Sequence, residues 1–158
     1  GDGFETMWQR AAETGQAICP LLEPNALPEL DRMCRRFPDT TVVIDHMARI
    51  GADGTIREGD VESLCALARR PRAHVKLSAF YAFGEKAAPY TDLVPMLRRI
   101  FDAFGPERLM WASDCPFQVQ RAAYDDSIAL VRDRMDFLSE SDRRHVLRGT
   151  AERVFFFR

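Results

Sequence analysis

Strand-like and helical patterns alternate along the whole chain, and this alternation restricts the fold more than any other feature of the sequence. Nearly continuous apolar or β-branched runs predict strands that are buried on both faces. These runs cover residues 16–22, 41–46, 74–80 and 108–113. Pro20 weakens the first strand prediction, because a proline inside a strand removes a hydrogen-bond donor from the ladder.

Apolar residues at intervals of three and four predict helices between and after these strands. The predicted helices cover about 27–37, 60–68, 91–104, 124–138 and 139–155. Asp60 and Thr91 are expected to cap the second and third helices. Ser139 and Asp142 are expected to form a capping box at the start of the last helix.

The order of these elements favours a parallel α/β sheet with right-handed crossovers in one domain over residues 1–158. The spacing of the units fits either part of a (β/α)8 barrel or an open doubly wound sheet, and the uniformly apolar strands favour the barrel. No glycine-rich phosphate-binding turn of the G-x-G-x-x-G or G-x-x-x-x-G-K-[ST] type follows a strand, so a nucleotide site is not predicted.

Composition excludes several classes of partner. The 22 basic and 24 acidic residues are intermixed and leave a net charge of −2, so neither nucleic acid nor an anionic membrane surface is expected to bind. No apolar run approaches the roughly 18 residues of a membrane span, and no segment has the pattern of a signal peptide. Cys19, Cys34, Cys65 and Cys115 lie in apolar stretches without a Cys-x-x-Cys pair, which predicts buried, reduced thiols in a cytoplasmic protein.

Polar side chains follow the predicted strands at their carboxyl ends, where parallel α/β proteins place their sites. The second strand ends in "DHMAR", which contains His46, and the last ends at Asp114 in "LMWASDCPF". An isolated buried carboxylate is expensive to desolvate, so Asp114 is expected to be paired, to cap a turn or to take part in chemistry. His46 alone could equally be a core histidine, but the equivalent positions of the two residues favour a shared site.

The third strand and its neighbours supply candidate substrate-binding residues. Lys76 lies in mid-strand on the same face as Ser78, and pairing with an internal carboxylate is its expected role. Tyr81 lies where this strand ends. Arg49 is either a surface charge or a clamp for an anionic substrate group, because guanidinium binds carboxylate in a bidentate manner.

Four segments together resemble the carboxyl-terminal half of the amidohydrolase-2 family, and most of all its lactonase-type branch. They are "VVIDHMAR", "HVKLSAF", "FGPERLMWASDCPF" and "VLRGTAERVFF", and the resemblance covers about residues 15–157. It implies a (β/α)8 barrel in which Asp114 is the general base that activates water. His46 then either binds a divalent metal (zinc or manganese) or polarises the carbonyl, and Arg49 holds a substrate carboxylate. Lys76 and Ser78 match the family's Lys-Leu-Ser strand without an assigned role.

The sequence departs from the family in two ways. It has no His-x-His pair, which the family's first strand supplies, and its 158 residues are fewer than the roughly 250 of a full barrel. We therefore expect strands five to eight only, a half-barrel that associates with a second copy or with its missing amino-terminal half. A metal, if present, would be held by His46 and Asp114, and a metal-free site is also compatible.

These observations predict a metal-assisted or metal-independent hydrolase that acts on a lactone, or on another cyclic ester or amide, with an anionic group. One alternative is a metal-dependent decarboxylase of the same superfamily. A second alternative is a non-catalytic half-barrel that requires a partner.

Overall fold

The computed structural model describes residues 2–156, except for the side chain of Asp2. Its sheet consists of three parallel strands in chain order: β1 (Val42–Ile44), β2 (Ala73–Leu77) and β3 (Leu109–Trp111). The last three predicted strands are therefore confirmed, although each is shorter than its apolar run.

The first predicted strand, over residues 16–22, is wrong as a regular strand. The segment runs parallel to β1 and contacts it through a bridge between Ile18 and Val42. The carbonyl of Pro20 accepts a hydrogen bond from the amide of Asp45 at 3.1 Å. Because Pro20 has no amide hydrogen to return, the ladder does not continue beyond this point.

Two helices precede β1, and the others lie between and after the strands, as the alternation predicts. They are α1 (Asp2–Thr14), α2 (Leu27–Arg36), α3 (Glu58–Ala66), α4 (Val94–Phe104), α5 (Tyr124–Ala129), α6 (Glu140–Arg144) and α7 (Thr150–Phe155). Helix α1 was not predicted. No helix within residues 2–156 has the length and apolar character needed to cross a membrane.

Several helix ends differ from the sequence predictions. Asp60 lies inside the first turn of α3 and does not cap it, and Thr91 belongs to a 3-10 turn that precedes α4. The predicted helix over residues 124–138 ends early, because Met135 leaves the helical region with φ of −86° and ψ of 76°. The capping box is confirmed: the amide of Asp142 donates to the Ser139 hydroxyl at 3.1 Å, and the Ser139 amide donates to the Asp142 carboxylate at 2.9 Å.

The two faces of the sheet have different neighbours. Val42, Ile44, Val75, Leu77 and Leu109 pack in one cluster with buried apolar side chains of α2, α3 and α4. On the opposite face, Val43 and Met110 contact Val154 of α7.

Three successive helices thus cover one face of a sheet whose strands follow chain order. An open doubly wound sheet would reverse its strand order and place the helices that connect its strands on both faces, whereas α3 and α4, which connect β1 to β2 and β2 to β3, lie on the same face. The arrangement is therefore that of part of a (β/α) barrel, with α2, α3 and α4 on its outside.

Helix α7 lies at the amino-terminal edge of the sheet. The hydroxyl of Thr150 donates to the carbonyl of Pro106 at 3.0 Å, and the guanidinium of Arg153 donates to the carbonyl of Glu107. Both carbonyls precede β3. This packing covers the amino end of the strands, whereas the carboxyl end carries the polar side chains described below.

The prediction that the cysteines form no disulfide agrees with the structure, whereas the prediction that all four are buried is partly wrong. All four thiols are free. Cys34 is buried, which raises the pKa of its thiol to about 11, and Cys65 is half-buried. Cys19 and Cys115 are exposed.

Candidate active site

The residues that follow the three strands share an uncommon backbone conformation. His46, Ala79 and Asp114 have φ values of 50°, 57° and 55°. This left-handed region costs a non-glycine residue roughly 1–2 kcal/mol. After β1 the conformation continues through every residue from His46 to Arg49. Strain of this kind persists only where the surrounding structure imposes it, and it is concentrated at functional sites.

The structure brings His46 and Asp114 together at the carboxyl edge of the sheet. Nε2 of His46 lies 3.7 Å from Oδ1 of Asp114, and the two side chains are 18% and 20% exposed. Each residue follows a different outer strand, so the two side chains meet across the end of β2. Their partial exposure leaves both accessible to a small molecule.

Residues that follow β2 contact both members of this pair. Ser78 is fully buried, and its Oγ lies 2.7 Å from Nδ1 of His46. The phenol of Tyr81 donates to Oδ2 of Asp114 at 2.6 Å. Burial, the hydrogen bond to Asp114 and the charge of that carboxylate raise the pKa of Tyr81 to about 12. The phenol is therefore a neutral donor at ordinary pH.

Lys76 pairs with Asp45, the first residue after β1. The two side chains are 21% and 18% exposed, so the ion pair is mostly shielded from water. The predicted pairing of Lys76 with an internal carboxylate is confirmed. The pair cross-links the ends of β1 and β2 next to the site.

Two arginines lie near Tyr81. The charges of Arg121 and Arg49 oppose the rise in the pKa of Tyr81. Arg49 also forms an ion pair with Glu23, with 2.5 Å between Nε and Oε1. Arg121 is exposed and has no ion-pair partner in the described part of the chain. Sequence reasoning missed Arg121, whose only signal is its place in the loop after Asp114.

A buried amide anchors the loop that follows Asp114. Gln118 is fully buried, and its Nε2 donates to the carbonyl of Ala123 at 3.0 Å and to the phenol of Tyr90 at 3.4 Å. The backbone amide of Gln118 also donates to the backbone carbonyl of Asp114 at 3.2 Å. These contacts tie the loop after β3 to the loop after β2. Sequence reasoning missed Gln118, since a glutamine carries no signal of burial.

The donor groups at this edge do not by themselves fit a metal ion. A catalytic zinc takes three protein ligands and leaves one position open, whereas His46 and Asp114 supply two. Within residues 2–156, no three His, Cys, Asp or Glu side chains are grouped to hold an ion. His74 lies at the other end of β2, where its Nδ1 is 3.1 Å from the carbonyl of Arg72.

Comparison with known proteins gives consistent matches over the chain. The family profile described as amidohydrolase matches residues 1–157. The 4-sulfomuconolactone hydrolase of Hydrogenophaga intermedia is 30% identical over 157 residues, which cover 96% of this chain and 50% of that protein. The L-fucono-1,5-lactonase of Burkholderia ambifaria is 36% identical over 103 residues, which cover 63% of this chain and 34% of that protein.

A solved structure agrees with the fold described above. An amidohydrolase from Burkholderia multivorans with bound zinc superposes with a TM-score of 0.82 at 26% identity, covering 96% of this chain and 57% of that one. The fold is thus part of the (β/α) barrel of these proteins. The chain spans at most about half the length of these two curated relatives.

Proposed function

Because this chain belongs to the amidohydrolase family, we propose that the protein hydrolyses a lactone that carries an anionic group. The observation that carries the proposal is the approach of His46 Nε2 to Asp114 Oδ1, 3.7 Å apart at the open end of the strands. Water needs both a base and an electrophile beside it to attack a carbonyl, and these two groups supply them.

In this proposal Asp114 is the general base. Its Oδ2 accepts the hydrogen bond from Tyr81, so Oδ1 is the oxygen available to take a proton from water. The resulting hydroxide forms a bond to the lactone carbonyl carbon while His46 polarises the carbonyl oxygen. The ring C–O bond then breaks, and the leaving oxygen takes the proton back from Asp114. The product is the open-chain hydroxy acid.

The anionic group of the substrate is assigned to Arg49 and Arg121. Both guanidiniums lie close enough to influence the pKa of Tyr81, which is itself bonded to the proposed base. Arg121 is not neutralised by a carboxylate of the described chain, so its charge is free for a ligand. The name of one relative, 4-sulfomuconolactone hydrolase, refers to a sulfonated lactone, and this supports an anionic substrate.

A divalent metal at this site would be held by His46 and Asp114 and would take a further ligand from outside the described residues. The structure of an amidohydrolase similar to this chain contains zinc, but the described residues provide two donors, one fewer than a catalytic zinc site takes from protein. Every step above is written for side chains of this chain and for water alone.

We further propose that more strand–helix units of the same barrel cover the open side of the molecule. A groove of about 670 Å³ lies between α1, α2 and the segment around Ile18, and apolar side chains such as Phe4 and Trp8 line it. Of the lining side chains, Phe4 is 52% exposed and Met7 is 46% exposed. Because the chain spans half or less of these relatives, the missing units of the barrel are the occupant we assign to this groove.

The test is to assay the full protein that contains this chain against lactones with and without a carboxylate or sulfonate. Asp114→Asn is expected to abolish ring opening while leaving the far-UV circular dichroism unchanged. Asp102→Asn, on the exposed outer surface of α4 and paired with Arg98, is the matched control and should retain full activity. Activity of Asp114→Asn within a few-fold of wild type would refute the general-base role, and release of carbon dioxide without ring opening would favour the decarboxylase alternative.

A further inference from the structure

The hydrogen bond between Ser78 and His46 bears on which imidazole nitrogen carries the proton. Ser78 Oγ lies 2.7 Å from Nδ1 of His46, and Nε2 on the other side of the ring faces Oδ1 of Asp114. Neutral histidine has one protonated and one unprotonated ring nitrogen. The contacts of the two nitrogens therefore decide between two tautomers.

The surroundings of Ser78 favour one of them. Ser78 is fully buried, and within the described residues its hydroxyl has His46 Nδ1 as its hydrogen-bond partner. If Nδ1 carried the proton, the hydroxyl hydrogen of Ser78 would be buried without an acceptor, which is unfavourable. If the hydroxyl donates to Nδ1 instead, both atoms are satisfied.

The position of Asp114 favours the same tautomer. With Nδ1 accepting from Ser78, the proton lies on Nε2 and points toward the carboxylate of Asp114, 3.7 Å away. An N–H group beside a carboxylate is attractive, whereas a nitrogen lone pair beside the same carboxylate is repulsive. The two contacts of the ring therefore agree.

We propose that Ser78 is a positioning residue that fixes His46 in the Nε2-protonated tautomer, so that the imidazole presents a hydrogen-bond donor at the rim of the site. Ser78 itself, being fully buried, does not reach the substrate. The contribution of Ser78 to catalysis, made through His46, rests on the proposed function, because a lactone carbonyl oxygen is the acceptor that such a donor would polarise. The tautomer itself does not depend on that function.

The tautomer is measured by ¹⁵N NMR of the full protein labelled at histidine, since protonated and unprotonated ring nitrogens have well-separated chemical shifts. The wild-type protein is expected to show a protonated Nε2 and an unprotonated Nδ1 for His46. Ser78→Ala is expected to shift the His46 signals toward a mixture of tautomers and to leave those of His74 and His145 in place. Ser127→Ala is the matched control, because Ser127 is equally buried but bonds Trp111.

Kinetics give a second readout. Ser78→Ala is expected to lower kcat roughly tenfold, less than the roughly 100-fold or more lost with a general acid or base, because His46 remains in place and only part of its population changes tautomer, with KM within about twofold. Ser78→Thr, which restores the hydroxyl, is expected to recover the wild-type tautomer. A wild-type His46 protonated at Nδ1, or a Ser78→Ala protein with an unchanged tautomer, would overturn the proposal. A protein that shows the expected tautomer but opens no lactone would refute the proposed function alone.

Discussion

The phenol of Tyr81 and the carboxylate of Asp114 are joined by a hydrogen bond of 2.6 Å that ties the chain after β2 to the chain after β3. The bond occupies Oδ2 and leaves Oδ1 facing His46. Tyr81 therefore restricts the rotation of the carboxylate and leaves Oδ1 as the oxygen that the proposed mechanism uses as the base.

Replacing Tyr81 by phenylalanine removes this donor while keeping the ring. We expect Tyr81→Phe to lower kcat roughly tenfold or more, because a hydrogen bond to a charged group contributes about 1.5–3 kcal/mol. Steady-state kinetics on the full protein measure the effect. Tyr124→Phe, at a half-exposed position on α5, should leave kcat unchanged, and an equal loss in both variants would contradict the assignment.

A separate prediction concerns the charge of the substrate and follows from the position of Arg49 and Arg121 near Tyr81. Arg121→Gln is expected to raise KM for an anionic lactone about tenfold, the effect of one lost charge-assisted hydrogen bond, and to leave KM for a neutral lactone unchanged. The measurement is KM for both substrates at low and high salt. Arg98→Gln, on the outside of α4 and paired with Asp102, is the control. A similar change of KM for both substrates would show that Arg121 does not contact the anionic group.

The ion pair between Lys76 and Asp45 is expected to matter for stability. Lys76→Met leaves the Asp45 carboxylate shielded and unpaired, and we expect it to lower the free energy of unfolding by about 2–4 kcal/mol, slightly below the range for fully buried pairs. Urea unfolding of the full protein measures this change. Arg144→Met breaks an exposed pair with Glu140, whose side chains are 66% and 89% exposed, and should cost less than about 0.5 kcal/mol. Equal costs would mean that the Lys76 pair is no more shielded than the surface pair.

The sequence predicted the strand ends well because their residues carry local signals. Apolar runs that stop at "DHMAR" and at "SDCPF" place His46 and Asp114 at the same edge, and a lysine in a buried strand either extends to solvent or pairs with a carboxylate. Helix α1 had a usable signal that was missed, because Phe4, Met7, Trp8 and Ala11 recur at helical spacing.

Other features depend on contacts that are remote in sequence. Ser78 contacts an imidazole 32 residues away, and the buried side chain of Gln118 donates to the phenol of Tyr90, 28 residues earlier. The segment around Ile18 forms only a single bridge to β1, at Val42, because Pro20 has no amide hydrogen with which to continue the ladder. Sequence periodicity reports which face of an element is apolar, and it does not report which side chain of another element will touch it.

The final prediction concerns the pH dependence of folding stability and rests on His74, which is buried at the amino-terminal edge of the sheet. Burial of its ring, together with the charges of Arg153 and Arg108, lowers the pKa of His74 from its ordinary value of 6.5, despite hydrogen bonds that oppose the shift. In the unfolded chain the same histidine takes up a proton near pH 6.5, so below that pH the unfolded state binds more protons than the folded state. Stability from this residue is present above pH 6.5 and is lost as the pH falls further.

We therefore expect the free energy of unfolding of the full protein to decrease between pH 7 and pH 5.5, and this slope to be smaller in His74→Gln. The substitution also removes the hydrogen bond to the carbonyl of Arg72, so the variant should be less stable at every pH. Comparing how steeply the free energy of unfolding changes with pH in the two proteins, and not its absolute value, separates the lost hydrogen bond from the effect of proton uptake. Between pH 7.5 and pH 8.5, where the histidine is neutral in both states, the difference between the two proteins should stay constant. Parallel curves down to pH 5.5 would show that burial of His74 does not make the fold acid-sensitive.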